Sequence, residues 1–457
     1  MTPGELAAVR GRLEEFAAEV FAPLDRRDQR AKGATYVRGL LLDGRRKSMQ
    51  PMGERLGIDH QALQQFVSSS TWAVEPVRQR LAARAVAVIG PDAWVVDDTG
   101  FVKDGTASPG VARQYSGTLG KVGNCQVGVS VCAVTDTASC PLNWRLFLPA
   151  GWDDAEAADE EAGTAIRARR GRAGIPDAER HRPKWKLALD MLDELIGWGL
   201  APPVVAADAG YGTTAAFRDG LTARGWPYVM QVQGDLTAHP AESLPELIGY
   251  SGLGPHPKPR YRTRPAGLRD HVLAASRSAA VEVRWRDGSR GPMTSAFVAL
   301  RVRPAGRRPT GRLAADGSLP SVWLLAEWPP EAAEPTDYWL STLPEGTGLA
   351  ELVRLAKIRW RIEHDYRELK TGLGLDHFEG RSYLGWHRHA TLTSLAQAFC
   401  TQLRYDPKAP APADPLRRTP RTPDPAQRLD RRLPHLPTTL PPSTTAHPAR
   451  HDLTKPY

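Results

Sequence analysis

The sequence predicts a mixed α/β fold, and two observations lead to that class. Strand patterns and helical patterns alternate between residues 91 and 234, in the order strand, strand, strand, helix, strand, helix, strand. A second strand-rich stretch and then a helix with one apolar stripe follow further along the chain. With 457 residues, the chain is long enough for two or three domains and a large buried core.

Residues 1–90 are expected to form a helical domain, because apolar residues recur there at helical spacing. Residues 49–67 predict two helices joined by a tight turn at Gly57, with Asp59 as the N-cap of the second helix. This pattern resembles a helix-turn-helix, whose second helix enters the major groove of DNA. Since any two packed helices produce the same pattern, DNA binding by this segment is a hypothesis.

Residues 91–234 are expected to form the first part of the core. A short buried strand at residues 93–96 is followed by Asp97 and Asp98, and another at residues 204–207 is followed by Asp208. The carboxyl ends of strands are where α/β sheets place reactive side chains, because these side chains converge on an open crevice. Taken singly, each of these acids is commonly a turn or cap residue.

Residues 235–340 are expected to form a β-rich insertion. Its basic residues Arg260, Arg262 and Arg264 suit contacts with a DNA backbone, and a solvated run of charges explains them equally well. Residues 406–457 are rich in Pro, Thr and Arg and are expected to be a disordered tail. Such a tail is typical of a natural extension, and a frameshift would produce one as well.

Residues 341–405 are expected to form the last part of the core. Arg359, Glu363 and Lys370 are separated by 4 and 7 residues, so on a helix they share one stripe, beside an apolar stripe that faces a core. A carboxylate between two cations suits a metal ligand beside phosphate-binding groups. The alternative interpretation is a solvated helix face with ordinary ion pairs.

The overall composition favours a polyanionic partner. The net charge is +9 and the sequence pI is about 9.5, as in proteins that bind nucleic acid or acidic membrane surfaces. No apolar run approaches the ~18 residues that span a bilayer. The four cysteines show no Cys-x-x-Cys pairing, so neither a zinc module nor a disulfide framework is indicated. We expect a cytoplasmic protein without a membrane partner.

Four stretches of the sequence together resemble one family. They are VVDDTGFVKDG, QYSGTLGKVGNCQVGVS, VVAADAGYG and IRWRIEHDYRELKTGLG. With the acids in the order Asp, Asp, Glu, they are similar to the bacterial insertion-sequence transposases of the DDE type. The resemblance is to the branch that has a Tyr-Arg-Glu-Lys signature and a β-insertion before the last Glu. It spans about residues 90–400.

The resemblance implies an RNase H-like core that cuts and joins DNA with two Mg²⁺ ions, for which Mn²⁺ can substitute. In the family the first acid commonly precedes a threonine by two residues, which favours Asp97 over Asp98. Asp208 then matches the second ligand and Glu363 the third. Arg359 and Lys370 match cations that hold phosphates. The signature tyrosine falls on Ala356, which puts one DNA contact in doubt.

An aromatic residue in the insertion of related enzymes holds a flipped DNA base. Tyr338 and Trp339 lie at the matching place, although an aromatic residue at the start of a strand more often belongs to the core. The implied partners are double-stranded DNA, as terminal inverted repeats and target, and a second copy of the chain. Bound to DNA, the protein would be associated with the nucleoid.

Two other functions remain open from the sequence. One is a catalytically inactive or truncated protein, derived from a transposase, that binds DNA without cutting it. The other is a metal-dependent phosphoesterase acting on small molecules. The basic charge and the helix-turn-helix-like start disfavour the phosphoesterase, and retention of all three acids disfavours the inactive protein.

Overall fold

The computed structural model describes residues 3–405, except residues 118–119, 247–248, 250–255, 257–258, 289–290, 307–312 and 314–316. The predicted disordered tail, residues 406–457, lies outside the described residues. Thirteen α-helices and one mixed sheet of twelve strands form the described part, which confirms the mixed α/β class. Among these helices, none combines the length and apolar character that crossing a membrane requires.

The helices are α1 (Pro3–Val20), α2 (Arg27–Leu41), α3 (Met49–Leu56), α4 (His60–Ser68), α5 (Val74–Ile89), α6 (Glu160–Ala173), α7 (Lys184–Gly197), α8 (Ala209–Gly212), α9 (Ala215–Ala223), α10 (Leu268–Ala274), α11 (Leu349–Lys357), α12 (Trp360–Thr371) and α13 (Tyr383–Arg404). The strands are β1 (Ala93–Val102), β2 (Ala112–Ser116), β3 (Lys121–Val134), β4 (Ser139–Leu146), β5 (Val205–Ala207), β6 (Tyr228–Val232), β7 (Thr237–Pro240), β8 (Ala266–Gly267), β9 (Val281–Gly288), β10 (Gly291–Pro304), β11 (Val322–Glu327) and β12 (Asp337–Ser341).

The predicted helix–turn–helix pair is present at α3 and α4. Gly57 ends α3 in the left-handed conformation, which glycine adopts without a steric penalty. The carboxylate of Asp59 caps α4 by accepting a hydrogen bond from the backbone N–H of Gln61. Leu63, Phe66 and Val67 are buried, and the polar residues between them are exposed. The pair therefore presents a polar helix face to its surroundings.

The sheet has the strand order β2-β3-β1-β5-β6-β12-β11-β10-β7-β8, with β4 paired to β3 and β9 paired to β10. β1 is antiparallel to β3 and parallel to β5, which is parallel to β6. β1, β3 and β4 are buried along most of their length, because helices cover this part of the sheet; β1 and β3 are rich in Val.

The segment predicted to be a β-rich insertion contains strands β7 to β11 and most of β12, and these strands continue the same sheet. β12 pairs with β6, and β11 and β10 follow outward in antiparallel order. A second, smaller hydrophobic cluster, which includes Val298, Leu324 and Leu340, fills this part of the molecule. The larger cluster joins helices α1 to α5 to the first part of the sheet. The N-terminal helices therefore share a core with the strands.

The helix predicted around residues 356–370 is divided in two. α11 ends at Lys357 and α12 begins at Trp360, so Ile358 and Arg359 form a break between them. The apolar stripe is confirmed, since Leu355, Ile358, Ile362 and Leu369 are all buried. Arg359 itself is the residue directly before α12. Its side chain contacts Asp97 on β1 and Asp208 after β5.

The last helix, α13, is buried along nearly all of its length and holds the N-terminal helices in place. Arg388 donates hydrogen bonds to the backbone carbonyls of Val67, Ser70 and Trp72 at the end of α4. His389 receives a hydrogen bond of 2.9 Å from the hydroxyl of Tyr36 on α2. A His-x-His pair at 387 and 389 is typical of a surface or phosphate-facing cluster. That interpretation is wrong here, because both rings are buried.

Candidate active site

Asp97 and Asp208 lie side by side because β1 and β5 run in parallel and in register. Val96 pairs with Ala207, and the two aspartates are the residues that follow. β5 ends at Ala207, and Asp208 caps α8 by accepting a hydrogen bond from the N–H of Tyr211. β1 continues to Val102, so the prediction that Asp97 ends its strand is wrong. The neighbouring strand β5 does end there, because its last residue, Ala207, pairs with Val96, and β1 has no partner residue in β5 from Asp97 onward.

Glu363 reaches the same place from α12, and Arg359 lies between the acids. The Nη2 atom of Arg359 is 3.3 Å from Oδ2 of Asp97, 3.9 Å from Oδ2 of Asp208 and 3.7 Å from Oε1 of Glu363. All three carboxylate oxygens therefore lie within 3.9 Å of one nitrogen atom. The structure brings together the three acids that the sequence predicted. We call Asp97, Asp208 and Glu363 the acidic triad.

The members of the acidic triad differ in exposure. The side chain of Asp97 is 9% exposed, that of Asp208 33% and that of Glu363 66%. Burial raises the pKa of Asp97 to about 6; Arg359 opposes this shift, and the charges of Asp208 and Asp98 add to it. The triad thus combines a buried carboxylate on β1, Asp97, with an exposed carboxylate on α12, Glu363.

Arg359 remains charged in this environment. Burial lowers the pKa of Arg359, but the charges of Asp97, Asp208 and Glu363 outweigh burial and leave that pKa raised. The guanidinium therefore offsets part of the repulsion between the carboxylates of the acidic triad.

Asp98 has different partners from Asp97. Its Oδ2 accepts hydrogen bonds from the ammonium of Lys184, at 3.0 Å, and from the hydroxyl of Tyr211, at 3.1 Å. Neighbouring residues of a strand point to opposite faces, which separates the two carboxylates. The geometry thus favours Asp97 as the member of the acidic triad. Lys184 and Tyr211 were not predicted; Tyr211 follows Asp208 by three residues, whereas nothing local to Lys184 indicates its contact.

The acidic triad fits a hard divalent cation. Its ligand atoms are carboxylate oxygens, which Mg²⁺ and Mn²⁺ prefer, and they surround one nitrogen atom of Arg359 from β1, from the residue after β5 and from α12. His364, Asp365 and Glu368 form a second cluster, with ligand atoms within 4.8 Å of one another. Its carboxylates are already paired with Arg361 and Arg404. We therefore read the second cluster as structural ion pairs.

Lys370 lies on α12 with Glu363, but its side chain does not reach the acidic triad. The residue is buried, and its ammonium donates a hydrogen bond of 2.8 Å to the carbonyl of Gly100 and lies 5.5 Å from the centre of the Phe101 ring. The spacing of seven residues placed Lys370 on the helix face of Glu363, but the carbonyl on β1 draws its side chain inward. A phosphate contact by Lys370 stays a prediction, and it requires the side chain to move.

Tyr338 and Trp339 are core residues in this structure. Both are buried in β12. The hydroxyl of Tyr338 donates to the carbonyl of Pro335, and the ammonium of Lys357 lies 5.0 Å from the centre of the Trp339 ring. The core interpretation is therefore the one that the structure favours. As placed, neither ring presents a face to a base from outside.

The basic residues of the insertion are on the surface. Arg260, Arg262 and Arg264 are all exposed, and Arg262 forms an ion pair of 2.6 Å with Glu246. Their exposure leaves contact with a DNA backbone possible, and an exposed ion pair of this kind is easily exchanged for another anion.

Ser130 and Tyr366 connect the two elements that carry Asp97 and Glu363. Ser130 pairs with Asp97 across β1 and β3, and its hydroxyl shares a hydrogen bond of 2.5 Å with that of Tyr366 on α12. The bond joins the helix of Glu363 to the strand beside Asp97. Sequence reasoning missed both residues. Helical spacing puts Tyr366 near Glu363, but no local pattern connects it to Ser130.

With the fold and the acidic triad described, comparison with known proteins assigns the class of the chain. A family model described as DDE superfamily endonuclease matches residues 19–292. Because this match covers more than half of the chain, the chain belongs to that family. The matched region contains Asp97 and Asp208, and Glu363 lies beyond it.

Part of the chain is also similar to a protein from Microchaete diplosiphon named as the probable transposase for insertion sequence element IS701. The two are 26% identical over 211 residues, which are 45% of this chain and 49% of the relative. The chain thus spans about half the length of the curated relative that it matches. Both findings confirm the resemblance to insertion-sequence DDE transposases that the sequence motifs indicated.

Proposed function

We propose that the chain is the DNA transposase of an insertion sequence, which cuts DNA at the element's ends and joins it to a target. The convergence of the acidic triad on one nitrogen atom of Arg359 is the observation that carries this proposal. Membership of the endonuclease family supports the cutting of DNA, and the name of the similar protein supports a role in an insertion sequence. We assign an RNase H-like core to the antiparallel β4, β3 and β1 and the parallel β5 and β6.

The acidic triad is the proposed metal site, with Asp97 as first ligand. Two bound Mg²⁺ ions, or Mn²⁺ in their place, would make a water or 3′-hydroxyl a better nucleophile and stabilise the leaving oxygen in an in-line displacement. The protein's own contribution is positional. Asp97 lies within β1 and Asp208 directly after β5, whereas Glu363 is an exposed side chain on α12.

The proposed partner is double-stranded DNA, as terminal inverted repeats and as target. The exposed face of α4 carries His60, Gln61, Gln64 and Gln65, which can donate and accept hydrogen bonds at base edges in a major groove. Arg260, Arg262 and Arg264 would bind phosphates of the same duplex. A transposon has two ends, so we propose a homodimer on DNA, and a cytoplasmic protein that joins the nucleoid when bound.

The test is cleavage of DNA that carries the inverted repeats flanking the gene, with Mg²⁺ present. We expect the natural protein to nick this DNA, and Asp208→Ala and Glu363→Ala to abolish nicking while end binding persists, because the substitutions remove ligands and no groove-facing residue. Binding should weaken steeply with salt, since phosphate contacts release counterions.

Glu368→Ala is the matched control, because Glu368 is a carboxylate of the same helix that pairs with Arg404. It should cut at close to the natural rate. A natural protein that binds the ends and never cuts them would instead be the inactive, DNA-binding alternative. Cutting that survives loss of Asp208 or Glu363 would contradict the assignment of the acidic triad.

A further inference from the structure

Arg359 lies at the point where the acidic triad would hold a cation. Its Nη2 is between 3.3 and 3.9 Å from one oxygen of each carboxylate. A divalent ion bound by the same three oxygens needs this space and carries the same sign of charge. The guanidinium and the ion therefore compete, both for position and for the negative potential of the triad.

Arg359 is held more weakly than a comparable arginine elsewhere in the chain. Arg354 on α11 also lies among three carboxylates, those of Asp92, Asp136 and Glu351, and donates four hydrogen bonds to them at 2.9 to 3.4 Å. Within the described part of the chain, Arg359 donates one such bond, of 3.3 Å to Asp97. Its Nε is buried without a hydrogen-bond partner among the described residues.

The contrast between the two arginines does not come from exposure. Their side chains are 21% and 25% exposed for Arg359 and Arg354 respectively. Arg354 is fixed by directed hydrogen bonds, whereas Arg359 is held mainly by charge at distances beyond hydrogen-bond range. A cation held mainly by charge is the kind that another cation can displace. Arg359 is the N-cap residue of α12, and its backbone carbonyl accepts a hydrogen bond of 3.0 Å from the N–H of Ile362.

We propose that Arg359 is an exchangeable counter-ion of the acidic triad, which holds the three carboxylates together and leaves them when divalent ions bind. The inference rests on the proposed metal site. It assigns Arg359 a positioning role on the carboxylates, in addition to the phosphate contact implied by the family resemblance. Because the exchange replaces one cation with another, the carboxylates of the triad always have a cation beside them.

Metal binding without DNA is the experiment, done on the full chain with Mn²⁺ as the probe. The dissociation constant would be measured by electron paramagnetic resonance at about pH 8, well above the pKa of Asp97, which is about 6. The proteins are the natural chain, Arg359→Gln, Arg359→Lys and, as matched control, Arg354→Gln. Asp208→Asn shows which part of the binding belongs to the triad.

We expect Arg359→Gln to bind Mn²⁺ about tenfold more tightly than the natural chain, the factor that corresponds to about 1.4 kcal/mol of lost competition. Arg359→Lys keeps the charge and should bind like the natural chain, as should Arg354→Gln. The melting temperature gives a second readout. Without metal, Arg359→Gln should melt below the natural chain, and Mn²⁺ should raise its melting temperature by more.

Equal or weaker binding by Arg359→Gln, with binding that Asp208→Asn abolishes, would overturn this inference and leave the proposed function standing. Tighter binding by Arg354→Gln to the same extent would also overturn it, because the effect would then be one of net charge. If no protein binds Mn²⁺ in a way that depends on Asp208, the proposed metal site fails, and the inference fails with it.

Discussion

Asp97 and Asp98 show that a shift of one position in a strand changes all the contacts of a carboxylate. The two are chemically identical neighbours, but one faces Arg359 and the acidic triad, and the other faces Lys184 and Tyr211. Alternation along β1 is the physical cause, because successive side chains of a strand point to opposite faces. The sequence left the choice between them open, and only the family resemblance favoured Asp97.

The pair gives a direct prediction for catalysis. Asp97→Asn should lower the rate of Mg²⁺-dependent cleavage by about 10³-fold or more, because a lost ligand removes several kcal/mol of metal-derived stabilisation. Asp98→Asn should retain most of the activity and bind Mn²⁺ normally. Single-turnover cleavage rates and Mn²⁺ titrations of both variants would check this. Similar losses in both would mean that Asp98 also belongs to the acidic triad.

At the level of elements, predictions succeeded where the signal is local. The strand predicted at residues 204–207 is β5, which begins one residue later and ends at the predicted residue, and the turn at Gly57 with its cap at Asp59 is as predicted. Period-two alternation and capping chemistry act within a few residues of the chain. The break at Ile358 and Arg359 was missed, because that segment contains neither Gly nor Pro and its apolar pattern continues without interruption.

Contacts between distant elements could not be read from the sequence. Lys370 is buried because it reaches a carbonyl at Gly100, and the histidines of α13 are buried because helices from the other end of the chain pack around them. A helical spacing predicts which side chains share a face, but the neighbour that covers the face is set by the tertiary fold. For the same reason the three acids could be predicted from the sequence, but the position of the Arg359 side chain between them could not.

The short helix α8 depends on a close approach to β6, and this gives a prediction at the scale of an element. A Cβ at Gly212 would overlap the carbonyl oxygen of Gln231. Gly212→Ala should therefore push α8 outward, destabilise the chain by about 1–3 kcal/mol and weaken Mn²⁺ binding, because Asp208 caps this helix. Melting curves and Mn²⁺ titrations would measure both effects.

Gly197→Ala is a suitable control for that substitution. Gly197 ends α7, and a Cβ there would meet nothing within 4 Å. This variant should be as stable as the natural chain or slightly more stable, by up to about 1 kcal/mol. A normal melting curve and normal Mn²⁺ binding in Gly212→Ala would show that α8 can move without cost, contrary to the prediction.

At the scale of the whole molecule, buried histidines connect stability to pH. Burial lowers the pKa of His389 to about 4, and burial also lowers the pKa of His387 well below its usual value. In the unfolded chain both would titrate near 6.5. Protonation therefore favours the unfolded state, so stability is greatest above about pH 6.5 and falls as the pH decreases toward 4.

His389 should account for about 2 kcal/mol of stability lost between about pH 7.5 and pH 5. The raised pKa of Asp97 acts in the opposite direction below pH 6, so the comparison must be made against a variant. Urea unfolding of the natural chain and of His389→Gln at both pH values would test this. The variant should lose less stability on acidification. Equal losses in the two proteins would contradict a buried, neutral His389.

The hydrogen bonds of Arg388 to the backbone at the end of α4 have a consequence for where a duplex would be cut. They join the end of α4 to α13, and α4 shares one hydrophobic cluster with β1, the strand that carries Asp97. If α4 binds in the major groove of DNA, the distance between α4 and the acidic triad fixes the position of cleavage. The phosphate that is cut then lies a set number of base pairs from the recognised sequence. Half a helical turn of extra spacing, about 5 base pairs, would rotate that phosphate to the opposite side of the double helix.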